Sequence, residues 1–449
     1  MDYRRWNPEI AIRIPLRKGT SAMKMFALMA VALAGLIPAA TAASLKEINP
    51  PQINQPKHSL AILGVTLIDG RAGRPIPDAV VVLIGEKIIA AGPRKSTRIP
   101  VDAETYDATG LTLLPGFIDA HFHIERSYDL PRLFMSHGVT SLRDPGQWIE
   151  IYDPIRESTL PQPRCFVAGP HLDCPPHAHP GDAFGVASAE ETRRAVNRFV
   201  DEGASVIKVY YRLPLEWIAV ACDAAHKRGV PVTAHLELVD ADAAIRAGLD
   251  GVEHVTSFGT ALAGIAEAQR FREIVSADNE ARRKGRYELW STLNFDDSTK
   301  LKPLLNLLVK RKVFFSPTLA VFERRAEDKG VTQAEVRGFE NMLKFVAQCH
   351  RAGVTIVVGS HSDVPKAARG WAYQRELELL EECGLSPADV VRAATLNNAR
   401  YFRIEDRLGS IEPGKLADLV LVEGDPFKDI RAFRQIKRVM LNGQWVFPN

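Results

Sequence analysis

Eight short apolar runs, separated mostly by amphipathic stretches, constrain this chain more than any other feature of it. They lie at 113–120, 139–142, 165–168, 205–210, 230–234, 251–255, 313–316 and 355–359. Helical periodicity is clearest between them at 190–201, 215–228, 240–247 and 301–311. Short buried strands alternating with helical crossovers make a parallel sheet, and eight is the number that closes a TIM (β/α)8 barrel. An open doubly wound sheet is the competitor. It would want a Gly-rich phosphate loop after an early strand, and no G-x-G-x-x-G occurs. The barrel is therefore expected over residues 113–402. Residues 259–300 contain no clear strand and read as an inserted helical lid or substrate loop.

The flanks have a different texture. After a linker marked by Pro50, Pro51 and Pro56, β-branched alternating segments appear at 60–67, 79–84 and 87–91. The same pattern returns at 419–422, 439–441 and 445–447, with Asn442-Gly443 as a hairpin turn. Chain ends often lie close together. Residues 58–112 and 403–449 are thus expected to pair into one small composite β-sandwich domain, completing an α/β architecture.

Residues 1–42 read as a leader. Lys24 precedes the apolar run 25–37, followed by Pro38 and then Ala40-Thr41-Ala42. A cationic start, a short apolar core and a small-x-small site make a secretory signal peptide, and the run is too short to span a bilayer, which takes roughly 20 residues. Met23 stands where such a signal would begin. The expectation is a periplasmic or secreted protein with no membrane span in its mature part. The leader also explains the charge balance. The chain has 57 Lys and Arg against 54 Asp and Glu. Six of those cations and two of those acids fall in residues 1–42, which leaves 51 against 52 in the remainder. No basic field remains to suggest nucleic acid as a partner. Five scattered cysteines without a C-x-x-C do not form a disulfide framework. Free buried thiols are expected over a Cys165–Cys174 bridge.

The polar residues that end the apolar runs carry the chemistry. His121 and His123 close the first run, and positions i and i+2 of a strand point to the same side. Lys208 ends the fourth run, His235 the fifth and His254 the sixth, while His361 and Asp363 end the eighth. In a barrel these positions share the C-terminal rim, the catalytic face. One histidine at a strand end is an ordinary structural residue; histidines from several independent runs on one rim are not. Imidazoles with a carboxylate favour Zn²⁺, with Mn²⁺, Co²⁺ or Fe²⁺ as alternatives. Lys208 is the odd member, since an ammonium, with an ordinary pKa of about 10.4, would repel a cation. A neutral lysine carboxylated by CO₂ would instead be an anionic oxygen ligand able to bridge two metals. The alternative is a lysine that snorkels to solvent.

These residues sit in motifs that resemble the amidohydrolase superfamily, and within it the binuclear imidazolonepropionase-like and prolidase-like branch. The resemblance covers nearly all of residues 60–449. It rests on Leu114-Pro115-Gly116-Phe117-Ile118-Asp119-Ala120-His121-Phe122-His123, on Gly138-Val139-Thr140-Ser141-Leu142-Arg143-Asp144 and on Val206-Ile207-Lys208-Val209. Thr233-Ala234-His235, Val252-Glu253-His254 and Gly414-Lys415-Leu416-Ala417-Asp418-Leu419-Val420 extend it. It implies a metal-dependent hydrolase of amide or related C–N bonds, holding two Zn²⁺ ions. His121 and His123 would bind the buried metal, carboxylated Lys208 would bridge, and His235 and His254 would hold the exposed metal. A dipeptide, an N-acyl amino acid or a cyclic amide would be attacked by metal-activated hydroxide.

One departure stands out. The family places an aspartate two residues after the glycine that ends strand eight, as ligand and proton shuttle. Here Gly359-Ser360-His361-Ser362-Asp363 puts a histidine there and the aspartate two residues later. Register favours His361 and chemistry favours Asp363 as the catalytic group. His177, His179, Tyr210 and Tyr211 are candidate substrate contacts on loops over the barrel mouth, and Arg143 with Asp144 is expected to form a barrel-end ion pair. Two other readings stay open: a mononuclear hydrolase or deaminase with unmodified Lys208, and a non-catalytic amidohydrolase-like binding or assembly protein. A homo-oligomer is compatible with either.

Overall fold

Short, mostly apolar runs buried on both faces become the barrel strands of this protein. The computed structural model describes residues 44–51, 59–296 and 298–448, so the expected leader lies outside the described residues. Strands β1 Ser59–Leu67, β2 Ile76–Ile84, β3 Lys87–Pro93, β4 Glu104–Asp107 and β5 Leu111–Pro115 come first. The barrel strands follow as β6 Phe117–Asp119, β7 Val139–Asp144 and β8 Arg164–Val167. A short excursion, β9 His171–Asp173 and β10 Ala183–Gly185, precedes β11 Ile207–Val209, β12 Val232–Ala234, β13 Gly251–Glu253, β14 Phe314–Ser316 and β15 Thr355–Ile356. The chain ends with β16 Leu419–Glu423, β17 Ile436–Leu441 and β18 Gln444–Phe447.

All eight apolar runs contain a barrel strand. They pair in parallel as two arcs, β6-β7-β8 and β11-β12-β13-β14-β15, with β9 and β10 laid beside β11. Backbone hydrogen bonds bridge both gaps between the arcs: Ala120 N–H donates to Val358 O at 2.8 Å, and Ser205 N–H to Val167 O at 2.9 Å. The protein is a (β/α)8 barrel with an added β domain. The expected helices form the outer layer, including Ala189–Glu202, whose N-cap Ser188 accepts from Glu191 N–H. The segment expected to be a lid is helical, as Gly259–Leu262, Ile265–Ala277 and Arg282–Ser291.

Strands from the two flanking segments meet in one eight-stranded sheet, ordered β18-β17-β16-β5-β1-β2-β3, with β4 on the same edge of β1 as β5. The sheet folds over, because β3 bonds back to the segment before β16: Ala417 N–H donates to Glu86 O and Ile88 N–H to Lys415 O. The two layers of the expected sandwich are thus one continuous sheet around a shared core that includes Ile62, Val81, Leu419 and Met440. Its N-terminal part runs through β5, which pairs with β16 and extends past the expected boundary at 112. The Asn442-Gly443 turn links β17 to β18, and both residues have positive φ (49° and 76°), as a tight hairpin of this kind requires.

A buried ion cluster fastens this domain to the barrel. Arg164 donates to Asp418 at 3.0 Å through Nε, and also to Glu47 and Asn442. Glu47 belongs to the strap 44–51, where Asn49 accepts from Cys165 N–H and donates to Pro163 O. All five cysteines are free thiols. Among the described residues no helix is long and apolar enough to cross a membrane.

Candidate metal centre

The C-terminal ends of the barrel strands open into a cavity of about 560 Å³ lined by His121, His123, Lys208, His235, His254 and His361, among others. Nitrogen atoms of His121, His123 and His361 lie within 4.8 Å of one another. The rings of His121 and His254 are 4.5 Å apart and those of His254 and His235 4.4 Å apart, which continues the chain of imidazoles across the cavity.

Each first-motif histidine is held by a carboxylate behind it. His121 Nδ1 faces Glu253 Oε2 at 2.8 Å, which leaves Nε2 directed at His123 Nε2, 3.1 Å away. His123 Nδ1 lies 3.5 Å from Asp144 Oδ1. His254 Nδ1 meets Thr318 Oγ1 at 2.7 Å. A ring nitrogen engaged from outside fixes the tautomer and frees the other nitrogen as a ligand. Burial pushes the His121 imidazole down to about 3, against the pull of Glu253. Burial and the neighbouring cationic groups also hold His235, His254 and His361 well below the usual histidine range. Neutral imidazole is the form that binds metal.

Backbone geometry aims these side chains. Asp119 Oδ1 accepts from His121 N–H and Ser360 N–H, tying the first motif to the end of strand eight. Burial raises its carboxyl to about 6. Gly359 permits that contact, since a Cβ there would stand 2.5 Å from both His121 Cβ and Ser316 Oγ. His254 and His361 hold left-handed φ values of 65° and 62°, strained for histidine and of the kind that gathers at functional sites.

Lys208 is buried, and burial lowers its ammonium to about 8. It does not snorkel. Among the described residues its Nζ has no hydrogen-bond partner, and neither do the buried Nδ1 atoms of His235 and His361. Buried polar groups are nearly always satisfied, so this cluster of orphaned donors and acceptors fits a bound divalent cation.

The remaining sequence candidates divide. Asp363 is exposed and does not line the cavity. His361 and Ser362 both have φ of 62°, so strand alternation stops before 363 and the aspartate turns outward. Tyr210 and His179 line the cavity, whereas Tyr211 and His177 do not. Tyr211 hydrogen-bonds Asn279 on the far side from Tyr210, and His177 packs toward Asp173 and Gly185. Arg143 does not pair with Asp144, because neighbours on a strand face opposite ways. Arg143 Nη2 bonds Glu253 at 2.8 Å, while Asp144 accepts from Tyr152 OH and Ile124 N–H.

Glu253, Asp119, Glu237 and His171 were not singled out from the sequence. Glu253 and Asp119 stood inside the quoted motifs, and Glu253 carried the clearest signal, an acid within a buried run. His171 lies on the extra strand β9, is buried and lines the cavity, with its ring 4.2 Å from that of Tyr210.

Comparison with known proteins points the same way. The sequence model of the Amidohydrolase family matches residues 112–446. Adenine deaminase of Mesorhizobium japonicum is 24% identical over 79% of this chain and 52% of its own length, so the chain spans about half of that relative. Ochratoxinase of Aspergillus niger is 23% identical over 82% of each chain. The crystal structure of A. niger ochratoxinase superposes with a TM-score of 0.65 at 21% identity, covering 86% of this chain and 95% of that one. A Xaa-Pro dipeptidase with bound methionine in the active site gives 0.66 at 22% identity, covering 86% and 99%.

Proposed function

The chain belongs to the amidohydrolase family, and on that premise we propose that it is a metal-dependent hydrolase of an amide or related C–N bond in a small molecule. The substrate classes are a dipeptide, an N-acyl amino acid or a cyclic amide. One observation carries the reading: imidazoles from four different barrel strands converge on a buried lysine amine that has no hydrogen-bond partner among the described residues.

His121 and His123, with His361 beside them, would hold one divalent transition-metal ion, and His235 with His254 a second. Zn²⁺ suits this nitrogen-rich set. Lys208, carboxylated by CO₂, would bridge them. Bound there, such ions polarise a carbonyl and make water nucleophilic near neutral pH. The protein's own part is positional. Glu253 and Asp144 orient the first two imidazoles, Asp119 ties their strand to strand eight, and the deep placement of the rings limits water around the reacting bond. In place of a ligand role, His361, which lines the cavity where Asp363 does not, would pass a proton to the leaving nitrogen. Export to the periplasm or beyond is part of the proposal and rests on the pattern of residues 23–42.

The test is metal content per chain, by elemental analysis of protein purified without chelator, for wild type and Lys208→Ala, together with a hydrolysis screen of the three substrate classes. About two metals in wild type, falling sharply in the variant, with turnover of one class, is the expected result. One metal unaffected by the substitution would favour a mononuclear enzyme. No metal and no turnover would refute the hydrolase reading.

A further inference from the structure

Beyond the histidines, the cavity wall is cationic in a way the metal chemistry does not require. Arg282 and Arg286, on helix Arg282–Ser291, and Arg324 beyond β14 all line it. Arg282 and Arg286 share one carboxylate, Glu237, which is buried and sits 3.7 Å from Arg282 Nε and 4.0 Å from Arg286 Nη1. These separations are ion-pair distances, too long for hydrogen bonds. Arg282 Nη1 donates to Tyr210 OH at 3.0 Å, which fixes that guanidinium in place. Among the described residues Arg286 has no such anchor for its terminal nitrogens, and its Nε reaches Arg283 O at 3.5 Å. Arg324 has no carboxylate partner among the described residues and uses Nη1 on Glu323 O. Among the described residues Glu237 is the one carboxylate within 4.0 Å of Arg282 and Arg286, and Arg324 lines the same cavity; Glu125 and Asp182 also line it, but neither lies within ion-pair distance of these guanidiniums, so a local excess of positive charge remains for an anion to complete.

We infer that Arg286, backed by Arg282 and Glu237, is the specificity-determining clamp for a carboxylate on the substrate, and that the substrate is an N-acyl amino acid or dipeptide with a free α-carboxylate and an apolar side chain. The inference rests on the hydrolase reading above and narrows it, excluding neutral cyclic amides. Glu237 Oε1 also lies 3.3 Å from His235 Nε2, so the clamp stands one carboxylate away from the imidazole cluster. In an N-acyl amino acid the scissile carbonyl and the carboxylate are separated only by the amide nitrogen and Cα, a spacing that matches two adjoining subsites. The apolar element comes from Phe322, over whose ring Arg286 stacks at 5.0 Å, and from Tyr287, which Arg324 covers at 5.2 Å. Glu237 holds the two arginines close without using up the bidentate edge of Arg286.

The test uses the full chain as purified and two ligands that cannot be hydrolysed: 3-phenylpropionate and its neutral isostere 4-phenyl-2-butanone. Calorimetry should show the carboxylate binding at least about tenfold more tightly than the ketone, and Arg286→Gln should erase that difference. Arg286→Lys should recover part of it, because the charge returns without the planar fork. Thermal melting of each variant, and a parallel Arg324→Gln series, separate loss of the clamp from loss of fold. Equal affinity for acid and ketone, no binding of either, or carboxylate binding unchanged in a folded Arg286→Gln would overturn the inference; the last would place the carboxylate elsewhere, such as on the metals. If no N-acyl substrate turns over while Arg286-dependent carboxylate binding persists, the hydrolase reading fails and the clamp stands.

Discussion

Replacing Glu253 with glutamine should separate two tasks that one buried carboxylate performs. Its Oε2 meets His121 Nδ1 at 2.8 Å, while Oε1 accepts from Arg143 Nη2 at 2.8 Å, Thr233 Oγ1 at 2.7 Å and Tyr401 OH at 3.2 Å. Burial opposes the charge on this carboxyl, yet the His121 hydrogen bond and the Arg143 guanidinium hold it below the usual carboxylate range. Glutamine keeps the shape but offers one acceptor oxygen and one donor nitrogen. With the oxygen toward Arg143, the amide N–H₂ faces His121 Nδ1 and forces the tautomer that protonates Nε2, the nitrogen meant for metal. With the amide reversed, two donors face each other at Arg143. Arg143 is 1% exposed and would keep Ala120 O at 3.1 Å and the rings of Tyr401 and Phe402 at 4.0 and 5.2 Å, but no carboxylate among the described residues. An uncompensated buried cation costs about 3–5 kcal/mol, and losing the carboxylate behind a histidine ligand costs about 10–100-fold in metal affinity. Denaturant unfolding of metal-stripped protein reads the first quantity and competitive metal titration the second. Adding Arg143→Met to Glu253→Gln should restore most of the stability, since the stranded charge is gone, and none of the metal affinity. A variant that binds metal as tightly as wild type would refute the role assigned to Glu253 as the orienting group of His121.

Other expectations follow from the same geometry. His361→Ala should lower turnover by at least about 100-fold, in the range of a lost general acid or base, whereas exposed Asp363→Ala should leave kcat/KM within about twofold; the reverse order would restore Asp363 to the site. Asp418→Ala removes one of the two carboxylates of the buried Arg164 and leaves Glu47 at 3.1 Å, so it should cost less than the about 3–5 kcal/mol of a fully uncompensated buried charge in denaturant unfolding; a loss below about 1 kcal/mol would mean Glu47 alone compensates Arg164. The Asp250 hydrogen bond raises the pKa of His226. The protonated form is therefore favoured in the folded state. Its stabilising contribution is complete below about pH 6.5 and is lost as pH rises through the raised folded value. The melting-temperature difference between wild type and His226→Gln should shrink across that window, and a difference that grows with pH would contradict the pairing.

Local chemistry made the architecture legible. Each of the eight runs is apolar enough to be buried on both faces, and a parallel strand needs no more information than that. The same locality placed His121, His123, His235 and His254, because a residue just past a barrel strand has only one rim to occupy, and Lys208, inside the short strand β11, lines the same cavity. Four features escaped, because local periodicity does not reveal backbone breaks or spatial neighbours. The choice between His361 and Asp363 turned on two successive left-handed residues, which end the alternation that register reasoning assumes. The choice of Tyr210 over Tyr211, and the parting of Arg143 from Asp144, followed from which face of a strand meets which neighbour once the barrel closes. The place of Arg282 and Arg286 on the cavity wall followed from the packing of their helix, with Glu237 from another loop within ion-pair distance of both. Sequence alone determined the order of elements and the rim on which the histidines gather, because strand period and burial are local properties. Only the tertiary structure decided the partners of each charged group, because a buried charge is defined by what surrounds it in space.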